Sequence, residues 1–408
     1  MSALRPARAE DALLGVAPRH AAEPATVDEA VEALRACARD RLRVAFVGGG
    51  TDLGLGAPPL GLDVVVHTRK LARVVEHAPA DQIVVAEAGL TVAALQKALA
   101  PHGQRLALDP PFPERATLGG VVAANAWGPR RTRHGTARDL VIGISIVRAD
   151  GVLARGGGKV VKNVAGFDLP RLMVGSLGTL GLVATVTFRL HPLPEASATL
   201  RVDRPPDASV RALVTGMRES QLEPSSVALH CEGGALSLGV RFEGFGPGVK
   251  QQGERLTALA AKERLEARKL GEADAAAFWA RHDALRTAGG VRARIAFRPA
   301  SLVEVMRDVV TPLVGALGGG AVIDPAIGTG ALGGTPASSA GAIQALDHAR
   351  AAIRALGGSL VLADAPREVR TSIDPWGPPP PSLPVMRRLK AQLDPEGRLA
   401  PGRFVGGI

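Results

Sequence analysis

Clustered glycine, more than any other feature, constrains how this chain can fold. Within 111–194, ATLGG at 116–120, HGT at 134–136, GGGK at 156–159 and GSLGTLG at 175–181 interrupt apolar runs instead of spreading evenly. A residue without Cβ admits positive φ and lets a ligand touch the main chain, so these clusters, with FVGGGTD at 46–52, can form one ligand-lined surface. A composition rich in Ala, Gly, Pro and Arg accounts for many of the 49 glycines equally well.

The earliest cluster has the strongest local grammar. TVDE at 26–29 puts Thr26 and Glu29 at capping-box spacing ahead of Val27, Val31 and Leu34, which predicts a helix of about three turns. Residues 43–47, RVAFV, read as a short buried strand that runs straight into Gly48, Gly49, Gly50, Thr51 and Asp52. Successive backbone N–H groups pointing one way make an anion nest, and a pyrophosphate would fit there without a lysine. GGGTD departs from both GxGxxG and the lysine-bearing phosphate loop, and a triple glycine by itself is as often a tight turn.

Further strands are expected at 62–66 and 83–87, then a helix from Thr91 to Ala100 that stops at Pro101 and Gly103. In the central stretch, 140–148 reads as a hairpin arm and 182–190 as a strongly β-patterned exit strand. Strands and helices mix without a regular βαβ rhythm, which indicates α+β with more than one small sheet. After Pro194, alternating runs at 198–202, 227–231, 235–242, 292–297, 321–324 and 359–363 are separated by helical stretches near 207–218, 249–285, 301–316 and 340–356. That pattern suits one antiparallel sheet with helices on one face. WGPPPPSLP at 376–384 is extended by its prolines, 385–393 is a short helix and 394–404 a turn-rich tail.

With 408 residues the chain holds two or three folding units. The formal charge is +10, but the basic residues are scattered and aromatics make up only 3%, which argues against nucleic acid; no helical stripe is both basic and apolar. A mild positive field suits anionic small molecules or an acidic protein. No apolar run reaches the roughly 18–20 residues needed to cross a bilayer, so no direct membrane insertion is expected. Residues 1–24 carry Glu10 and Asp11 where a secretion signal has its apolar core and read as a loose leader. Cys37 and Cys231 lie far apart, which indicates neither a disulfide framework nor a metal site, and cytoplasm is the default compartment.

GGGTD at 48–52, ATLGG at 116–120, RHGTARD at 133–139, KNVAGFDLPRLMVGSLGTLG at 162–181 and LDPEGRLAPGR at 393–403 occur in one order. In that order the chain resembles FAD-linked oxidases of the vanillyl-alcohol-oxidase (PCMH) type, and within them the FAD-binding subunits of bacterial glycolate oxidases. The likeness is strong over 25–195, clear over 385–408 and only a pattern between. It implies a two-lobed FAD-binding domain over 25–195, a cap or substrate domain over 196–375, and a Pro-rich link and tail over 376–408 returning to the FAD domain. Carried over by position, Val47, Gly48, Gly49, Gly50, Thr51 and Asp52 would cradle the pyrophosphate. Pro110, Pro111, Thr117, Gly119 and Gly120 would run along the ribityl chain and ring. Gly135, Gly181 and Val183 would approach ribityl and adenine portions, and Lys162 and Asn163 the flavin or substrate. Some relatives bind flavin covalently through a histidine in the first glycine loop or a cysteine near the third motif. This chain has neither, so FAD is expected to be non-covalent.

A flavin that oxidises a 2-hydroxy acid needs a base for the hydroxyl and a cation for the carboxylate. Arg130, Arg131 and Arg133 lie beside the ring-facing loop, with Arg131 as the carboxylate candidate, against the blander reading that they hold phosphates or face solvent. His134 is the base candidate, against a packing role. His230, His282 and His348 read as solitary, so the paired histidines and acidic metal ligand that catalytic relatives carry in the cap are not found. No metal is expected. This turns the reading toward an FAD-binding subunit of a glycolate or D-lactate oxidase-type complex, with a second flavoprotein subunit and an iron–sulfur subunit as partners and a small 2-hydroxy acid as substrate. Such a subunit could be peripheral to the membrane through its partners. Two cysteines are too few for a cluster of its own. The rivals are a self-sufficient FAD-dependent 2-hydroxy-acid or alcohol dehydrogenase and a structural subunit of a flavoprotein complex. In the tail, Ala400 stands where relatives usually have Asn.

Overall fold

A computed structural model describes residues 4–159 and 166–408. The chain divides into two compact units, one of Met1–Gly128, His134–Leu193 and Pro378–Ile408, the other of Pro129–Arg133 and Pro194–Gly377. The chain passes between the units at 193/194 and 377/378, where the sequence reading placed boundaries at 195/196 and 375/376. The five residues Pro129–Arg133 were not foreseen as part of the second unit.

The first unit has two lobes. In one, a four-stranded sheet runs in the order Arg5–Pro6, His20–Ala22, Val64–His67, Val44–Val47, with the last three strands parallel. The helix Val27–Arg39 lays Ala30, Val31, Leu34 and Cys37 against it, the face that the 3.6-residue period specified. Thr26 caps this helix by accepting from the Glu29 amide at 3.2 Å, while Glu29 reaches back to the Ala25 amide at 2.8 Å.

Residues 4–24, read in the sequence as a loose leader, differ from that expectation. They supply two strands of this sheet and the buried Asp11, which accepts from Arg5 at 2.8 Å and lies 2.7 Å from His67 Nε2. The Arg5 guanidinium holds the Asp11 carboxyl well below the usual carboxylate range. The segment reads as a leader because the strand that orders it, Val64–His67, lies far along the chain from His20–Ala22.

The other lobe is a five-stranded antiparallel sheet in the order Val74–Ala78, Ile83–Glu87, Leu182–Arg189, Val141–Val147, Leu153–Gly157. Helices Val92–Leu99 and Leu118–Ala124 complete its core with Leu95, Leu99, Leu118 and Val122. Leu182–Arg189 is buried on both faces, contributing Val186 and Phe188 to this core and Leu182 and Ala184 to that of the first lobe. A strand that serves two cores reads as a continuous apolar run, which is why it stood out in the sequence.

The tail returns to the first unit. Val44 donates to the Arg398 carbonyl at 2.8 Å and Ala400 donates to the Val44 carbonyl at 2.7 Å, so the tail adds a parallel bridge beside Val44–Val47. Its anchor is Lys390, whose Nζ donates to Asp394 Oδ2 at 2.6 Å and to the carbonyls of Thr179 and Leu399 at 2.8 Å each.

The second unit is one eight-stranded antiparallel sheet, ordered Arg268–Lys269, Ala196–Asp203, Ala235–Gly244, Ser226–Glu232, Gly319–Asp324, Thr329–Gly334, Val291–Ala296, Ser359–Asp364. Helices Asp207–Glu219, Gly246–Lys262, Thr311–Leu317 and Ser339–Ala355 pack on the face carrying Leu229, Leu238 and Ile323. The helix Glu272–Thr287 covers the opposite face, where Phe278 meets Ala228 and Leu285 meets Val322 and Ala331.

Candidate functional site

The strand Val44–Val47 ends in a turn whose glycines have different reasons to be glycine. A Cβ on Gly48 would collide with the Thr117 hydroxyl, and one on Gly49 with the Arg115 carbonyl, so the chain packs hard against these two from the side of 115–117. Gly50 instead needs its φ of +75°, and a Cβ there would meet only Leu53 at 3.5 Å. It is the member of the triplet that opens onto free space.

Hydrogen bonds fix this turn from both sides. Arg69 donates to the Gly48 and Gly49 carbonyls at 3.1 and 3.3 Å, and the Gly49 amide donates to Thr117 Oγ1 at 3.3 Å. Thr117 Oγ1 also accepts from the Gly120 amide at 3.3 Å, capping the helix Leu118–Ala124. Among the described residues, the amides of Gly50 and Thr51 donate to no other group. Two adjacent amides without acceptors, held in a turn whose carbonyls are already engaged, are suited to an anionic oxygen.

These amides border a solvent-open cleft in the first unit. Its free space, open mouth included, is ≈ 800 Å³. Gly48, Gly49, Gly50, Thr51, Asp52, Gly119, Gly120, Gly181 and Val183 line it together. Val47 stands just behind, its carbonyl taken by the Thr68 amide at 2.9 Å, and Thr117 lies beneath the turn. The walls also contain Leu177 and Gly178 of GSLGTLG and Ala400 of the tail, together with Thr68, Ala123, Ala124 and Arg403, to which sequence reasoning gave no role. Arg403 donates to the carbonyls of Leu53, Leu55 and Ala57 at 3.1, 2.8 and 3.3 Å, fixing the loop after GGGTD. The tail motif that contains it was the available signal; for Arg69 there was none.

Other expected residues lie elsewhere. Pro110 and Pro111 are not part of this lining. Gly135, with φ of +76°, forms the turn before Thr136, whose amide donates to Asp139 Oδ2 at 2.8 Å. A Cβ on Gly135 would strike that same carboxylate, so helix capping is the local reason for this glycine. His134 packs edge-on against His191 with ring centroids 4.6 Å apart. Lys162 and Asn163 lie outside the described residues.

The arginines at 130–133 fold with the second unit. Arg130 pairs with the buried Glu243 at 3.1 Å, and Arg133 reaches Glu223 at 3.0 Å and the Glu243 carbonyl at 3.2 Å. Thr132 Oγ1 lies 2.7 Å from Asp324 Oδ2 and 3.1 Å from the Pro129 carbonyl, and accepts from the Val227 amide at 3.2 Å. Burial pushes the Asp324 carboxyl up to about 6, opposed by Thr132, the Ile327 and Ala326 amides and the charge of Arg131. A single hydroxyl proton on Thr132 faces two acceptors, so a protonated Asp324 that donates to Thr132 satisfies the whole group.

The middle histidines require a correction. His230 and His282, solitary in sequence, come together on the sheet face under Glu272–Thr287, with ring centroids 5.6 Å apart and His230 stacked on Phe278 at 4.1 Å. Burial pushes His230 down to about 3 and His282 well below its ordinary value, so both are neutral rings. Among the described residues no group of three or more His, Cys, Asp or Glu is arranged to hold a metal ion.

Residues 18–157, which include 48–52 and 117–120, match the FAD binding domain family. The chain is 36% identical over 220 residues to the glycolate oxidase subunit GlcE of Escherichia coli (strain K12), covering 53% of this chain and 60% of that protein. It is 35% identical over 197 residues to the D-lactate dehydrogenase of Archaeoglobus fulgidus, covering 47% and 44%. The matched stretch thus spans less than two thirds of either relative. Among solved structures, alkyldihydroxyacetonephosphate synthase superposes with a TM-score of 0.72 at 17% identity, over 95% of this chain and 76% of that one, which shows a shared fold.

Proposed function

We infer the function of this chain from its place, through residues 18–157, in the FAD-binding family of the vanillyl-alcohol-oxidase type: it is the FAD-bearing subunit of a glycolate or D-lactate oxidase-type complex. One observation carries this reading, the pair of acceptor-less amides at Gly50 and Thr51 in a cleft that Gly48, Gly49, Gly119, Gly120, Gly178 and Gly181 also line. FAD, when bound, supplies the acceptor for the hydride that leaves the substrate carbon.

The chain's own residues hold that cofactor. The Gly50 and Thr51 amides would take a pyrophosphate oxygen, Thr117 and Arg69 keep the turn in shape, and Gly119, Gly120, Gly178 and Gly181 admit the extended body of the ligand. Among the described residues no histidine or cysteine lines the cleft, and Cys37, its thiol pushed up to about 11 by burial, is packed in a core, which supports a cofactor held without a covalent bond. Pro110, Pro111, Gly135, Lys162 and Asn163 complete the proposed contacts.

For catalysis, His134 is the proposed base and Arg131 the proposed cation for the substrate carboxylate. The same packing of His134 on His191 equally supports the second reading, a subunit whose partner flavoprotein oxidises the 2-hydroxy acid while an iron–sulfur subunit takes the electrons. No helix among the described residues is long and apolar enough to cross a membrane, so any membrane association in this reading runs through those partners.

The test is an anaerobic absorbance spectrum of the FAD-reconstituted chain over about 300–600 nm, before and after glycolate or D-lactate. Bleaching by the chain alone supports the self-sufficient dehydrogenase. Flavin bands that persist until partner subunits are added support the complex. Failure to take up FAD at all overturns both.

A further inference from the structure

The turn GSLGTLG has two working sides. Leu177, Gly178 and Gly181 face the cleft described above, whereas Gly175, Ser176, Thr179 and Leu180 line a second cavity on its other side. Positive φ at Gly175, Leu177 and Gly178 gives the turn its alternating shape. The second cavity encloses ≈ 450 Å³, within the range of small-molecule sites.

The lining is apolar with a few polar groups. Leu172, Leu180, Met386, Leu389 and Phe404 form most of the walls, and Leu389 is 39% exposed there. Ser176 is 5% exposed, and its hydroxyl has no hydrogen-bond partner among the described residues. A buried hydroxyl without a partner costs free energy unless a ligand or water supplies one. Arg138, at the same cavity, makes no ion pair among the described residues, while Arg171 is spent on Asp168 at 3.1 Å. The Thr179 hydroxyl is taken by the Ser176 carbonyl at 2.7 Å. What the cavity offers is therefore one unused cation, one unused buried hydroxyl and an apolar wall.

We propose that this cavity is a binding site for a small carboxylic acid with an apolar tail, recognised by Arg138 and Ser176 and held by the side chains of Leu172, Met386, Leu389 and Phe404. A guanidinium suits a carboxylate, and the tail removes the partly exposed leucine from water. The site is separate from the cofactor cleft, with only the thickness of one turn between them.

Titration calorimetry on the FAD-loaded full chain tests this with octanoate as the probe, octanol as the uncharged control and acetate as the tail-less one. Saturable one-to-one binding of octanoate is expected, with octanol and acetate at least about tenfold weaker, the worth of one charge-assisted hydrogen bond or a few buried methylenes. Arg138→Gln and Ser176→Ala should each weaken octanoate, Arg138→Lys should recover part of the loss, and Leu172→Arg should abolish binding. Thermal unfolding of each variant separates loss of the site from loss of fold. Absence of octanoate binding, equal affinity in wild type and all variants, equal binding of octanol, or displacement of FAD by octanoate would each overturn the assignment.

Discussion

The hydroxyl of Thr117 accepts the amide of Gly49 from a distance of 68 residues along the chain, at 3.3 Å, while capping its own helix. One side chain therefore joins the glycine turn to the helix that forms the opposite wall of the cleft. Thr117→Val keeps the shape and removes both bonds, leaving a buried amide unsatisfied. We expect a loss of about 1–3 kcal/mol, read by denaturant unfolding, together with a lower flavin-to-protein ratio after gel filtration. Thr117→Ser should retain most of both.

Gly50→Asp places a carboxylate where a phosphate is proposed and forces a side chain onto a φ of +75°. FAD retention should fall by at least about tenfold, equivalent to one charge-assisted hydrogen bond lost to repulsion. Flavin fluorescence after dialysis reads the loss. Gly50→Asn, which tolerates the left-handed region and carries no charge, should retain more flavin than Asp. Undiminished flavin in the Asp variant would remove the phosphate assignment.

Lys390→Met leaves Asp394 buried and unpaired, and strips a donor from the Thr179 and Leu399 carbonyls. The cost should be about 3–5 kcal/mol by chemical denaturation. Because Asp394 also accepts from the Arg398 and Leu399 amides, Asp394→Asn beside Lys390→Met should recover only part of it.

The pH dependence of the second unit should carry the mark of Asp324. Its carboxyl, at 3.8 ordinarily, is pushed up to about 6 by burial, so the folded unit binds a proton that the unfolded chain releases. That contribution is fully present below the ordinary value and is lost as pH rises through about 6, for a total near 3 kcal/mol by the pKa difference. Asp324→Asn should flatten stability between these two pH values, measured by urea midpoints across the range.

Ala400 sits in the left-handed region at φ +44°, 1% exposed, in the tail strand beside Val44. Ala400→Gly removes the Cβ penalty and should raise stability by about 1 kcal/mol, read as an increase in melting temperature.

Legibility in the sequence followed the range of the interactions. The helix Val27–Arg39, the strand Leu182–Arg189 and the glycine turn at 48–50 were readable because their causes are local: a cap, an apolar run and missing side chains. The strand Thr329–Gly334 was not, since TGALGG has little β-propensity and pairs as it does because Gly330, Gly333 and Gly334 allow neighbours to approach. Arg69 was invisible for the opposite reason, being a surface-type residue that works through carbonyls distant in sequence, whereas Arg403 was visible only as the last residue of a tail motif, without its role. Residues 4–24 are ordered by the distant strand Val64–His67, and His230 with His282 met only because a helix and a strand far apart in sequence lie together.

Pro129–Arg133 lies inside the first unit's sequence and folds with the second, where Thr132 and Arg130 meet Asp324 and Glu243. On the ribosome these five residues emerge well before Ser226–Glu232 and Gly319–Asp324, the strands that receive them. The nascent first unit must therefore leave that loop undocked until translation has passed Asp324. Cutting the gene at 193 and 378 would yield a fragment in which the buried Glu243 has lost Arg130 and the buried Asp324 has lost Thr132.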